Sequence, residues 1–257
     1  MIYIPKFKYD LQQFAEADNG LFLADAEPAG GVGDFDDTSV EGAMTITGIV
    51  AAKNNGDYGY KINYDGVNDQ AWGRFSSLGD LTELWVRMYV YIPSSLTPEA
   101  AWRQLYFGGI YDGNTYALWF GVESESTPTW YTWILRVQGQ AIQKNATNFG
   151  MDEWHRVEAH WISDDTNGGG TLKVDGDVAI TDENQDTSAY AIDNCRFGSV
   201  YSGSIMPESD YFYFDDVKGS SVDWVGPYSE AGGGRISRYH DLSGLAGHGQ
   251  STFNPLG

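Results

Sequence analysis

The chain has one cysteine, Cys195, in 257 residues, so no disulfide can close within it. Its fold must rest on a packed core, and a reducing compartment would suit it. Positive charge is also scarce: 15 Lys and Arg stand against 36 Asp and Glu, for a formal net charge of −21. A field of that sign repels nucleic acid and anionic membranes, so neither is expected as a main partner. No segment reaches the ~18 apolar residues of a membrane-spanning helix. The opening MIYIPKFKYD carries lysines without the apolar run of a secretory signal, so export by the usual route is not expected. The histidines His155, His160, His240 and His248 lack zinc-site spacing. Cys195, in DNCRFGS, reads as a small core residue rather than a nucleophile.

What the chain does have is rings and glycines: 9 Trp, 17 Tyr, 12 Phe and 32 Gly. That supply is enough for a large core, a decorated surface and many turns. The most informative stretch is LWVRMYVYI, residues 84–92. Leu84, Val86, Met88, Val90 and Ile92 fall on one side, and Trp85, Arg87, Tyr89 and Tyr91 on the other. This period of two predicts a half-buried strand. Its second side carries aromatics and an arginine where a plain solvated strand would carry Lys, Glu and Thr.

Further strands are predicted over 44–51, 58–64, 71–75, 102–108, 116–122, 131–138, 154–162, 171–174, 177–180, 195–201 and 211–218. Asn55-Gly56, Asp65-Gly66, Asp112-Gly113, Asn167-Gly168 and Asp175-Gly176 supply turn signals between them. Asp175-Gly176, inside LKVDGDVAI, is the clearest tight hairpin, because a type I′ turn needs positive φ at both central residues. Short strands without helical periods predict an all-β antiparallel sandwich of the jelly-roll kind. Three regions are expected: an N-terminal arm over 1–30, the jelly-roll domain over 31–227, and a Gly-rich C-terminal arm over 228–257. In the first, Asp10 and Gln13 form a capping box for a short helix carrying Leu11, Phe14 and Ala15. The last has too little apolar content to order itself, so a neighbouring subunit is expected to hold it.

Residues 33–227 resemble the concanavalin A-like, or laminin-G-like, jelly-roll superfamily. The matching pieces are Gly33-Asp-Phe-Asp-Asp37, the wide strand LWVRMYVYI with Pro93-Ser after it, WHRVEAHW, LKVDGDVAI and the closing YFYFDDVKGSS with WVGP. That superfamily includes lectins, carbohydrate-binding modules, glucanases, alginate and glucuronan lyases, and bacteriophage structural proteins. A start at Met1, no export signal, no disulfide and terminal arms look most like the phage members. The resemblance therefore implies a virion structural protein, a capsid decoration or tail component and not an enzyme. It would fold in the host cytoplasm and join like copies and neighbouring virion subunits through its arms, possession of both arms allowing multivalent attachment.

The alternative is sugar handling. Trp85, Arg87, Tyr89 and Tyr91, with Arg156, Glu158 and His160 of WHRVEAHWI and Arg136 of YTWILRVQ, would form one wall if their strands lie side by side. Rings stack on sugars while guanidinium and carboxylate groups take hydroxyls. A lectin-like module would bind glycans there. A polysaccharide lyase would need Arg87, or Arg136 with Gln138, to neutralise a uronate carboxylate, and His160 or Tyr89 to move protons. The alginate-lyase motifs Arg-x-Glu-x-Arg, Gln-x-His and Tyr-Lys-x-Gly are absent, WRQLYFGG being only a faint echo. A chain so acidic would repel a polyuronate unless its groove were locally positive. The glucanase pattern Glu-x-Asp-x-x-Glu is missing too; Glu123 and Glu125 of GVESESTP read as a solvated loop. The resemblance also implies a structural Ca²⁺ where the first and last strands meet, with Asp34, Asp36, Asp215 and Asp216 as candidate ligands and no other cofactor.

Overall fold

The structure, a computed structural model, describes residues 20–24, 26, 32–54, 56–67, 70–125, 130–202 and 206–227. Fifteen strands run in chain order: β1 Gly20–Ala24, β2 Asp37–Val40, β3 Thr45–Ile49, β4 Gly59–Asn63, β5 Ala71–Phe75, β6 Glu83–Tyr91, β7 Gln104–Asp112, β8 Thr115–Ser124, β9 Trp130–Val137, β10 Gln143–Asn145, β11 Trp154–Ile162, β12 Gly168–Val174, β13 Asp177–Gln185, β14 Asn194–Ser202 and β15 Tyr211–Ser220. They make two antiparallel sheets. The first is ordered β13-β12-β11-β6-β15-β4-β3, with β1 also on β15; the second is β10-β9-β8-β7-β14-β5-β2. Sequence neighbours β6 and β7 thus lie in different sheets, and β14 and β15 again change sheets. This is the expected jelly-roll sandwich.

The alternation in β6 places its aliphatic side inward. Leu84, Val86, Met88 and Val90 are fully buried, as are Val157, Ala159 and Trp161 of β11 beside it. The facing sheet contributes Phe107, Phe120, Trp133 and Phe197. Phe107 meets Phe120 and Trp133 edge-on, at 6.0 and 6.2 Å between centroids, and reaches Phe212 of the first sheet at 6.4 Å. Such ring contacts are worth ~0.5–1.5 kcal/mol beyond the area they bury. Cys195 is buried in this core as a free thiol.

At Asp175-Gly176 both residues have positive φ, 54° and 100°, which fits the type I′ hairpin between β12 and β13. In β7, Gly108 and Gly109 leave room on opposite sides of the sheet. A Cβ on Gly108 would lie 1.9 Å from Phe120 in the core, and one on Gly109 would lie 2.6 Å from Tyr111 and 2.8 Å from Trp119 on the outside. The glycine pair therefore lets rings cross β7 on both faces at once.

One sequence expectation needs adjusting. Gly20–Ala24, expected within an arm, pairs with β15, and Phe22 stacks on Phe75 of the opposite sheet at 4.2 Å. The expected short helix at Asp10 and the C-terminal arm at 228–257 lie outside the described residues.

Candidate functional site

The predicted wall forms, but the chain covers it itself. β6 and β11 pair so that Trp85 faces His160, Arg87 faces Glu158 and Tyr89 faces Arg156 on the outer side of the first sheet. After β15 the segment 221–227 returns over this surface. Arg87 is 3% exposed; its Nε and Nη2 donate to the Asp216 carbonyl and its Nη1 to the Gly226 carbonyl, at 3.1–3.2 Å. Glu158, 2% exposed, accepts from the Gly226 amide at 2.8 Å and pairs with Arg156 at 3.1 Å. Burial lowers the Arg87 pKa against the pull of Asp216. His160 stacks on Trp85 at 4.5 Å, bonds Glu83 at 2.9 Å and meets the edge of Trp224, whose ring carries the Lys173 ammonium 3.7 Å away. The recess beside His160 is about 160 Å³, below the ~300 Å³ of an ordinary small-molecule site. Of the predicted residues Tyr89, Tyr91, Arg156 and His160 stay half-buried there, Tyr91 beside Trp154 and Tyr213. Arg136 is absent from this wall because β9 belongs to the other sheet.

The predicted Ca²⁺ ligands do not form a set. Asp34 accepts from the Tyr60 hydroxyl and the Ala26 amide, and Asp36 from the Ser76 amide. Asp215, fully buried, accepts from the amides of Asn54 and Asp216, and Asp216 from the Asn54 side chain. These described contacts are all N–H and O–H donors, which a cation would repel. No group of three or more His, Cys, Asp or Glu is placed to hold a metal among the described residues. The residues do not fit the implied ion.

The outer face of the second sheet is built differently. Register places Asp37, Arg74, Arg196, Gly109, Trp119 and Arg136 in one row across six strands. Trp119 lies flat between Tyr116 and Tyr201, at 3.8 and 5.1 Å with interplanar angles of 16° and 8°, and donates from its indole to the Tyr111 hydroxyl at 2.8 Å. Beneath this stack Tyr106 is fully buried, packed with Trp72, Ile134 and Val200. Arg196 is sandwiched between Trp72 and Tyr111, 4.6 and 4.1 Å from their centroids, and is held by Asn114, Asn194 and the Gly113 carbonyl. Tyr111 has its pKa pushed up to about 12 by burial, against its Trp119 and Arg196 neighbours.

Arg136 stands 5.6 Å from the Tyr116 ring, half-exposed, and pairs with no carboxylate among the described residues. Burial raises the pKa values of both Tyr106 and Tyr116, with Arg136 opposing it in each case. Both phenols therefore stay protonated at neutral pH. Towards the end of β8, Glu123 links Lys144 to Gln104, whose side-chain carbonyl accepts from Tyr106 at 3.3 Å. Glu123 is buried, contrary to its expected place in a solvated loop. Four of the chain's 15 basic side chains, Arg74, Arg136, Arg196 and Lys144, share this face with the carboxylates of Asp37 and Glu123. The local balance is the reverse of the overall −21.

Sequence reading found Arg136 and little else here. The reason is a run of irregularities in register at Tyr106/Gly108, Ile110/Tyr111, Glu123/Ser124 and Phe197/Tyr201. Each bulge resets which side a residue takes. Ala117 and Leu118 both enter the core, so Tyr116 and Trp119, three apart, meet on the outside.

Comparison with known proteins finds the same fold in several solved structures. An endo-β-1,4-glucuronan lyase from the fungus Trichoderma reesei is similar at 14% identity and a TM-score of 0.58, over 78% of this chain and 95% of that one. The alginate lyase Aly36B is similar at 13% identity and a TM-score of 0.58, over 80% and 98%. The cellulose-induced protein Cip1 is similar at 13% identity and a TM-score of 0.58, over 80% of this chain and all of that one. No protein-family description and no curated protein matches the sequence. At these identities the likeness establishes the concanavalin A-like jelly-roll fold. It also corrects two expectations. Structures that share this fold along nearly their whole length include two polysaccharide lyases, a cellulose-induced protein and a carbohydrate esterase encoded by a bacteriophage, and none of these is a virion structural protein, so the virion-structural reading falls. The expectation of a non-enzyme falls with it.

Proposed function

We propose that this chain acts on an acidic polysaccharide across the outer face of its second sheet, with β-elimination as the reaction. The observation that carries the reading is Arg136, a guanidinium without a carboxylate partner among the described residues, set beside the ring stack Tyr116–Trp119–Tyr201. Flat rings take the apolar face of a sugar, and an arginine takes a carboxylate in bidentate fashion. Elimination from a uronate removes the C5 proton, places negative charge on the carboxylate and breaks the bond from C4 to the glycosidic oxygen. Arg136 would stabilise that charge as it develops. Hydroxide from solvent would take the C5 proton and become water, and Tyr116, a protonated phenol whose pKa burial raises further, would give its proton to the departing oxygen and recover one from water. The positive balance of the face answers the repulsion expected from the whole chain.

The fold likeness to glucuronan and alginate lyases supports the same reading. A second reading, glycan binding without turnover, is favoured by one observation: His155 and His160 both lie on β11 of the first sheet, and Glu123 is held by Lys144 and Gln104. The face therefore offers no ready base among these groups. The test is incubation with glucuronan and with alginate, following the ultraviolet absorbance of unsaturated uronate ends. Product from the wild type, and loss of it in Arg136→Ala, supports elimination. Tight polymer binding without product supports the second reading, and neither binding nor product contradicts both.

A further inference from the structure

Trp102 sits just ahead of β7 in a conformation that its own environment does not repay. Its φ is +61°, a left-handed backbone that a bulky aromatic residue rarely adopts. Burial does not compensate, since the residue is 60% exposed. The segment around it is nonetheless pinned: the Trp102 amide donates to the Glu125 carbonyl at 3.1 Å, the Arg103 amide to Ser124 Oγ at 2.9 Å, and Ser124 Oγ to the Ala100 carbonyl at 3.2 Å. Arg103 also pairs with Glu99. The backbone is thus tied to the end of β8 in a way that holds an indole out into solvent.

The ring stands at the end of a polar chain that leads into the proposed site. Lys144 Nζ lies 5.3 Å from its centroid and also pairs with Glu123. Glu123 accepts from Gln104 at 2.9 Å, and Gln104 accepts from Tyr106 under the Trp119 stack. Glu123 and Trp119 are four residues apart on β8, ~13 Å at a strand's rise.

We infer that Trp102, with Lys144, Glu123 and Gln104 beside it, is a remote subsite that stacks one pyranose ring of a polymer whose reacting unit lies at Arg136. This rests on the reading of the second sheet's outer face given above. The ring supplies the flat apolar surface, the Gln104 amide and the exposed Lys144 ammonium supply partners for the sugar's hydroxyls, and buried Glu123 holds both in place. A short oligosaccharide seated at Arg136 would not reach it, and a long one would.

The experiment compares wild type, Trp102→Gly and Trp102→Phe against short and long glucuronan and alginate oligomers, by calorimetric titration and by thermal unfolding. Glycine relieves the left-handed backbone, so Trp102→Gly should melt at the same temperature as wild type or higher. It should bind long oligomers about tenfold more weakly and short ones unchanged, with partial recovery in Trp102→Phe. Unchanged affinity for long oligomers, or equal weakening for short and long ones, overturns the subsite. A fall of several degrees in melting temperature makes Trp102 a packing residue and also overturns it. A wild type that binds no oligomer of either length overturns the functional reading itself, which separates the two failures.

Discussion

The two outer faces of this sandwich draw on the same residue types and come to opposite ends. On the first sheet Trp85, Arg87, Glu158 and His160 form the expected wall, and the segment 221–227 lies across it. Every charge there has a partner: Arg87 feeds carbonyls, Glu158 takes an amide and Arg156, and Lys173 sits on Trp224. On the second sheet Arg136 keeps no carboxylate among the described residues, and a three-ring stack stays half-open beside it. Rings and arginines mark a surface that must be satisfied. They do not say whether the chain's own backbone or a ligand satisfies it.

The comparison can be broken by mutation. The largest effect is expected from Arg136→Ala, which should lower kcat/KM on a uronate polymer about 10²-fold or more while shifting the melting temperature little. Comparable activity in the variant would remove Arg136 from the site. Arg87→Ala should do the reverse. It strands the buried Asp216 carbonyl and the half-buried Gly226 carbonyl and loosens the 221–227 segment, costing about 2–4 kcal/mol, measured as the midpoint of urea unfolding, with turnover per folded molecule unchanged.

The glycine pair sharpens the contrast within one strand. Gly108→Ala should cost about 1–3 kcal/mol of stability through its clash with Phe120 in the core. Gly109→Ala should cost less stability but weaken oligosaccharide affinity, because it displaces Trp119 and Tyr111. Equal effects on both properties would contradict the assignment of faces.

The smallest effect concerns alkali. Tyr111 is raised to about 12 in the folded chain, so its stabilisation is complete below the unfolded value near pH 10 and is lost as pH rises from there towards 12. Melting temperature should fall across that window less steeply in Tyr111→Phe than in wild type, and an equally steep fall in both would contradict the burial of Tyr111.

How much of this was legible in the sequence follows from where period two survives. β6 and β11 run without irregularity against each other, so LWVRMYVYI and WHRVEAHWI gave the correct sides and even the correct neighbours. The hairpin at Asp175-Gly176 was legible because its two positive φ values demand those residues. The strands of the second sheet were legible too, but the arrangement of side chains on its outer face was not. Bulges in β7, β8 and β14 break the alternation, and the glycine pair carries no side to read. The cover over the first sheet was invisible for another reason. Arg87 and Gly226 are 139 positions apart, and the contact is to a backbone carbonyl, which leaves no trace in residue type.

The most direct measurement of which face meets sugar is the set of indole N–H resonances of the nine tryptophans, recorded while a long glucuronan or alginate oligomer is added. This account predicts that the signals of Trp119 and Trp102 move while those of Trp85 and Trp224 stay fixed. Movement at Trp85 and Trp224, with Trp119 and Trp102 unmoved, would contradict it.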